Sequence, residues 1–150
     1  MKLIILLFLF LPAGCDTTPR VMPGTQIQGN QAELVSQPAE MGGLISEYIL
    51  PFNVDTPQNA QLDISFKIKS AGHCATSYQP TIFYLNKQKI AEFDFRRYFL
   101  KTTIEKSISI NKRYFKQGAN TFKIVTGECQ YDIDILELNQ LQLNFNKQVN

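Results

Sequence analysis

The side chains able to do covalent or metal chemistry in this 150-residue chain are three cysteines, one histidine and 13 carboxylates. Nucleophilic catalysis needs a nucleophile, a base and an orienting group within reach of one another. His73 is the sole imidazole, Cys74 beside it is better used in a crosslink, and no G-x-S-x-G elbow occurs. Two carboxylates can run glycoside hydrolysis, but 13 acids offer so many pairs that spacing singles out none. Glu128, Asp132, Asp134 and Glu137 together suggest hard oxygen ligands for calcium. Asp132 and Asp134 alternate with Tyr131, Ile133 and Ile135, however, and that pattern reads as the wet face of a strand. With one histidine and no C-x-x-C, a zinc site is not supported. No catalytic residue, metal or cofactor is assigned, and the chain is expected not to be an enzyme.

A second cysteine, Cys15, closes the opening MKLIILLFLFLPAGC. Lys2 forms a short positive n-region, and Leu3 to Leu11 an apolar h-region of roughly nine residues, well short of the ~20 of a membrane-spanning helix. Residues 1–14 read as a signal peptide. The stretch Leu11-Pro12-Ala13-Gly14-Cys15 resembles the lipobox of bacterial lipoproteins, with Pro12 standing where an aliphatic residue is usual. That resemblance implies that Cys15 is acylated by palmitate-type chains and becomes the first residue of a membrane-anchored protein. Asp16 resembles an inner-membrane retention signal that varies between bacterial groups, so either membrane of the cell envelope stays open.

Residues 15–43 are expected to be a lipidated cysteine and flexible tether, because prolines, glycines and glutamines interrupt every period. A weak helical pattern covers Gln31 to Ser36. Without Lys2, basic and acidic residues nearly balance and are interspersed, which argues against nucleic acid. Arg96-Arg97 is the tight basic pair, and a solvated strand end accounts for it.

Cys74 and Cys129 form an even pair in an exported domain, which reads as a disulfide. Each follows a glycine turn, in AGHC and TGEC, as two loops at one end of a sandwich would. Closing a loop of about 55 residues should stabilise by about 4 kcal/mol. The loops at that end are the candidate binding surface: His73, Ser77, Tyr78, Gln79, Glu128 and Gln130.

The elements that must position these residues are strands. In AQLDISFKIK, Leu62, Ile64, Phe66 and Ile68 alternate with polar residues. TIFYLN and KIAEFDF flank an Asn86-Lys87-Gln88 turn, with Ala91, Phe93 and Phe95 on one face. Ile104, Ile108 and Ile110 align, as do Phe122 with Ile124, and Tyr131 with Ile133 and Ile135. After Ile135 the phase changes to Leu136 and Leu138, then resumes at Leu141, Leu143 and Phe145, which marks a bulge or bend. With GLISEYILPFNV at the start, residues 44–146 read as an all-β domain: an antiparallel β-sandwich of about eight strands, jelly-roll-like, with one disulfide.

The block Phe115 to Leu143, with its Gly118-Ala119-Asn120 turn opening an apolar strand, is similar to the closing strands of galactose-binding-like jelly rolls and carbohydrate-binding modules. That resemblance implies a fold more than a ligand. Sugar stacking normally uses tryptophan, and the chain has none; Tyr78, Tyr84, Tyr98 and Tyr114 are the substitutes. The expectation is a non-catalytic envelope lipoprotein facing the periplasm, a scaffold or accessory subunit that binds a partner protein. A glycan- or peptidoglycan-binding module, and an inhibitor or immunity lipoprotein against a periplasmic enzyme, are the alternatives.

Overall fold

The computed structural model describes residues 20–21, 25–26, 31–35, 38–43, 45–71, 78–129 and 132–145. They form two facing, mainly antiparallel sheets: a β-sandwich with jelly-roll-like connections. Among the described residues the strands are β1 (Arg20–Val21), β2 (Thr25–Gln26), β3 (Gln31–Val35), β4 (Ala39–Met41), β5 (Glu47–Val54), β6 (Ala60–Ser70) and β7 (Thr81–Leu85). They continue with β8 (Gln88–Phe93), β9 (Thr103–Ile110), β10 (Gly118–Val125), β11 (Glu128–Cys129), β12 (Asp132–Ile133) and β13 (Ile135–Phe145). Two single-turn 3-10 helices, η1 (Phe95–Arg97) and η2 (Lys112–Tyr114), sit in connections. One sheet has the order β1-β5-β10-β7-β8, with β2 also on β5; the other runs β3-β13-β6-β9, with β4 also on β13.

Alternation builds both sheets, since period-2 apolar residues bury one face only. Leu62, Ile64, Phe66 and Ile68 are all buried, as read from the sequence. Phe66 meets Phe93 and Phe95 at ring-centroid distances of 5.2 and 5.3 Å, and Phe83 meets Phe93 and Phe122 at 5.3 and 6.0 Å. This aromatic stack joins the sheets through the middle of the core. The β7–β8 hairpin turns at Asn86-Lys87, both with positive φ (48° and 70°), which matches the right-handed twist of the strands.

Three expectations are corrected. The tether expected over residues 15–43 contains strands: Gln31–Val35 pairs antiparallel with β13, and Ala32, Leu34, Val35 and Met41 are buried. The weak helical pattern at Gln31–Ser36 is thus a strand over its described part. Proline and glutamine content weighed against order there, but β13 offers a formed edge, and a few apolar residues suffice to cover it. The sequence count of eight strands matches the eight that run five residues or longer, yet the membership differs. CQYDIDI is not a full strand; its described part supplies only the two-residue pair β11–β12, and β3 takes its place. Finally, the core phase before β13 is even-numbered. Asp134 is buried while Ile133 and Ile135 are half-exposed, because burying Leu136 and Leu138 fixes Asp134 on the same side. An extra residue at Asn139 then separates Leu138↔Phe66 from Gln140↔Ser65, so Leu141, Leu143 and Phe145 return to the same core.

Cys74 lies outside the described residues, and of Cys129 only the backbone, in β11, is described. Residues 1–14 and Cys15 are likewise outside.

Candidate functional site

The strands define two ends of the sandwich. At the near end β5 begins and β6, β8 and β10 finish; at the far end lie the Asp55–Asn59, Asn86–Lys87 and Asn111–Gln117 connections. The parallel pairing Arg20↔Tyr48 and Val21↔Ile49 brings the chain in at the near end.

The described part of the sequence-derived surface is at the near end, where the structure brings Gln79 and Glu128 together through Gln79 N–H to Glu128 O (2.8 Å) and Glu128 N–H to Gln79 O (3.0 Å). Tyr78 adjoins them; His73, Ser77 and Gln130 lie outside the described residues. What holds this end is Asp134, fully buried. The Tyr78 hydroxyl donates to Asp134 Oδ2 at 2.5 Å, and the Thr81 hydroxyl donates to the same oxygen at 3.3 Å. Gly127 N–H donates to Thr81 Oγ1 (2.8 Å), and Asp134 N–H to Gly127 O (2.7 Å). Phe95 N–H reaches the Tyr78 oxygen at 3.3 Å, and the Arg96 guanidinium stacks 4.0 Å from the Tyr78 ring centre. Burial, then the Asp134 hydrogen bond and charge, push the Tyr78 hydroxyl far above its ordinary value, so it stays a donor. The expectation that Asp134 lies on the wet face is corrected: its carboxylate is an internal clasp, tolerated because hydroxyl donors meet it. Among the described residues no three of His, Cys, Asp and Glu gather to hold a metal ion.

A second surface was not singled out from the sequence. The outer face of the β3-β13-β6-β9 sheet carries hydroxyls, carboxamides and carboxylates in register across four strands. One row runs Glu33, Gln142, Asp63, Ser107; its neighbour runs Gln31, Asn144, Gln61, Ser109. Asp63 is the hub: it accepts from Ser107 Oγ, from Asn144 Nδ2 (2.6 Å) and from Gln61 Nε2 (3.3 Å). Along β13, Gln140 donates to Gln142 (2.6 Å) and Gln142 to Asn144 (3.0 Å). A shallow cleft of about 450 Å³ opens there over Gln61, Asp63, Ser65, Ser107 and Gln140, with Glu105 and Lys106 at its β9 side. Planar, two-sided polar groups held by one another present donors and acceptors at fixed spacing. The signal available in the sequence was the outward phase of LNQLQLNF and QLDIS, amide- and hydroxyl-rich where solvated strands usually carry lysine, glutamate or threonine.

None of the four tyrosines considered for sugar stacking lies on this face. Tyr78 serves Asp134, Tyr84 sits beneath Lys123 (5.2 Å), and Tyr98 and Tyr114 pack against the core. The Gly118-Ala119-Asn120 turn is also structural. Asn120, buried, bonds Lys116 and Gly118 and is met by Asn86 Nδ2 at 2.7 Å.

No family model matches the chain, and no curated protein does. Among solved structures, a family 35 carbohydrate-binding module from an environmental isolate is similar at 15% identity and a TM-score of 0.45, over 74% of this chain and 69% of that one. An insecticidal delta-endotoxin from Bacillus thuringiensis aligns at 11% identity and a TM-score of 0.44, over 73% of this chain and 20% of that one. A family 35 carbohydrate-binding module from Clostridium thermocellum aligns at 16% identity and 0.37, over 77% and 88%. Likeness at this level carries no ligand with it.

Proposed function

We propose that this chain is a non-catalytic binding module of the bacterial cell envelope, anchored by lipid on Cys15 and facing the periplasm, whose polar sheet face takes a neutral glycan. The observation that carries the glycan reading is the hydrogen-bonded grid around Asp63 and Gln142. A sugar ring offers hydroxyls that both donate and accept, and the face answers with carboxamides and hydroxyls that do the same and a carboxylate that accepts. The grid has no aromatic or Arg anchor of the kind that dominates protein interfaces, which favours a polyol over a protein there. The fold likeness adds nothing to this argument.

A periplasm-side peptidoglycan or surface polysaccharide supplies such hydroxyl-rich chains. Retention of the domain on immobilised glycans, with amide shifts mapping to β6 and β13, is the expected result. Gln142→Ala should weaken binding about tenfold, the ~1.4 kcal/mol of one or two lost hydrogen bonds. Shifts confined to other strands, or no retention on any saccharide, would sink the reading. The second reading is a scaffold, accessory or inhibitory protein that binds a protein partner through the near-end loops. Its support is the loop cluster around Tyr78, Gln79 and Glu128, and a stoichiometric partner pulled from detergent-treated envelopes would favour it. The anchor rests on the lipobox resemblance, and intact mass of the native protein tests it. The Cys74–Cys129 disulfide belongs to the same reading: Gln79, five residues after Cys74, pairs with Glu128, the neighbour of Cys129.

A further inference from the structure

The β8–β9 connection, DFRRYFLKT from Asp94 to Thr102, is held at several points yet projects its most apolar residues outward. Phe95 is fully buried against Phe66, and Asp94 Oδ1 caps η1 by accepting Arg96 N–H at 3.1 Å. Tyr98 packs on the core, and Lys101 N–H donates to Ile68 O at 2.8 Å, fastening the loop to β6. Thr102 N–H reaches Phe99 O at 3.3 Å, closing a turn in which Lys101 takes a left-handed φ of 65°. Between these fastenings Phe99 is 87% exposed and Leu100 49%, the exposed large hydrophobics among the described residues. A loop fixed on both sides cannot hide them by local collapse.

Their surroundings define what they fit. Arg96, Arg97 and Lys101 flank the pair, and Asp94 is engaged by both arginines, at 2.9 and 3.3 Å. An apolar tip with a cationic collar matches the interface of an anionic bilayer, where apolar side chains enter the acyl boundary and Lys or Arg meet headgroups. Position adds a second, independent argument. The loop is at the near end, where β1 brings the chain in, and Cys15 lies five residues before Arg20, within about 18 Å of fully extended chain. Lipid on Cys15 therefore sets a bilayer beside this end of the sandwich. A protein pocket would also accept Phe99, and burial of Phe99 by an envelope protein is therefore one of the outcomes that the test below distinguishes.

We propose that the Arg96–Lys101 loop is a second membrane contact, inserting Phe99 and Leu100 into an anionic lipid surface so that the sandwich stands with its near end down. This rests on the reading that Cys15 is lipidated, and the test separates the two. The chain contains no tryptophan, so Phe99→Trp is a unique reporter. In the mature chain carrying Cys15→Ser, Phe99→Trp emission should shift to the blue on phosphatidylglycerol vesicles and be quenched by brominated acyl chains. Phosphatidylcholine vesicles should give a smaller shift. Phe99→Ser with Leu100→Ser should cut co-sedimentation with phosphatidylglycerol at least tenfold while circular dichroism stays unchanged, since both side chains face solvent. Arg97→Glu with Lys101→Glu should remove the preference for anionic lipid. Unchanged emission, or equal sedimentation of the double-serine chain, overturns the proposal; so does an absence of vesicle binding with Phe99→Trp buried instead by an envelope protein. Vesicle binding with native Cys15 unmodified supports the loop without the anchor, whereas acylated Cys15 with a silent loop overturns the loop alone.

Discussion

Asp134 shows how one residue can organise several loops. Its side chain ties Tyr78 and Thr81, its backbone ties Gly127, and its carbonyl lies where any side chain on Gly42 would go, 1.8 Å from an added Cβ. Gly127 is equally committed, since an added Cβ would meet Asp134 Oδ2 at 2.1 Å. Removing the hydroxyl in Tyr78→Phe leaves the buried carboxylate short of one donor. The expected cost is about 1–3 kcal/mol, read as a lower urea midpoint with an unchanged slope. An unaltered midpoint would mean that Asp134's other partners satisfy it without Tyr78. The sequence could not reveal this clasp: alternation assigned Asp134 to solvent by its neighbours' hydrophobicity, while the actual phase was decided further along, by Leu136 and Leu138.

At the scale of elements, what was legible followed from period and turn chemistry. β6, β7, β8, β9 and β10 stand close to where alternation put them, and the Asn86-Lys87 turn is where the hairpin was read. β3 and β4 were not legible, because their order comes from an edge that β13 presents and not from their own composition. The polar face was hidden for a related reason: Gln142, Asp63 and Ser107 are far apart in the chain and become a row only through register. Leu34→Ala tests the reassignment of β3 directly. Leu34 is buried, so truncation should cost about 2–5 kcal/mol, whereas a residue in a free tether would cost nothing measurable. Hydrogen exchange at Gln31–Val35 should be slowed to match.

For the whole molecule, the proposed crosslink and the two proposed contacts concern different surfaces. Reducing a Cys74–Cys129 bond in the intact protein should lower stability by up to about 4 kcal/mol by freeing a loop of about 55 residues. The proposed glycan face should be spared, since it lies on the outward side of other strands. Equal melting with and without reductant would remove the bond from the account. If the near end stands against lipid as proposed, β6 and β13 would run away from the bilayer, and their outward face would look sideways along it. The loops around Tyr78, Gln79 and Glu128 would then be membrane-proximal and poorly placed for a bulky partner.

The direction of β1 has a mechanical side. Because Arg20–Val21 and Thr25–Gln26 run parallel to β5 and the chain enters from the near end, a tug on the leading segment acts along the strand axis. The bonds to β5 then share the load in shear and do not open one after another like a zipper. A module gripping a rigid polymer while its leash is drawn taut would resist rupture best in this orientation.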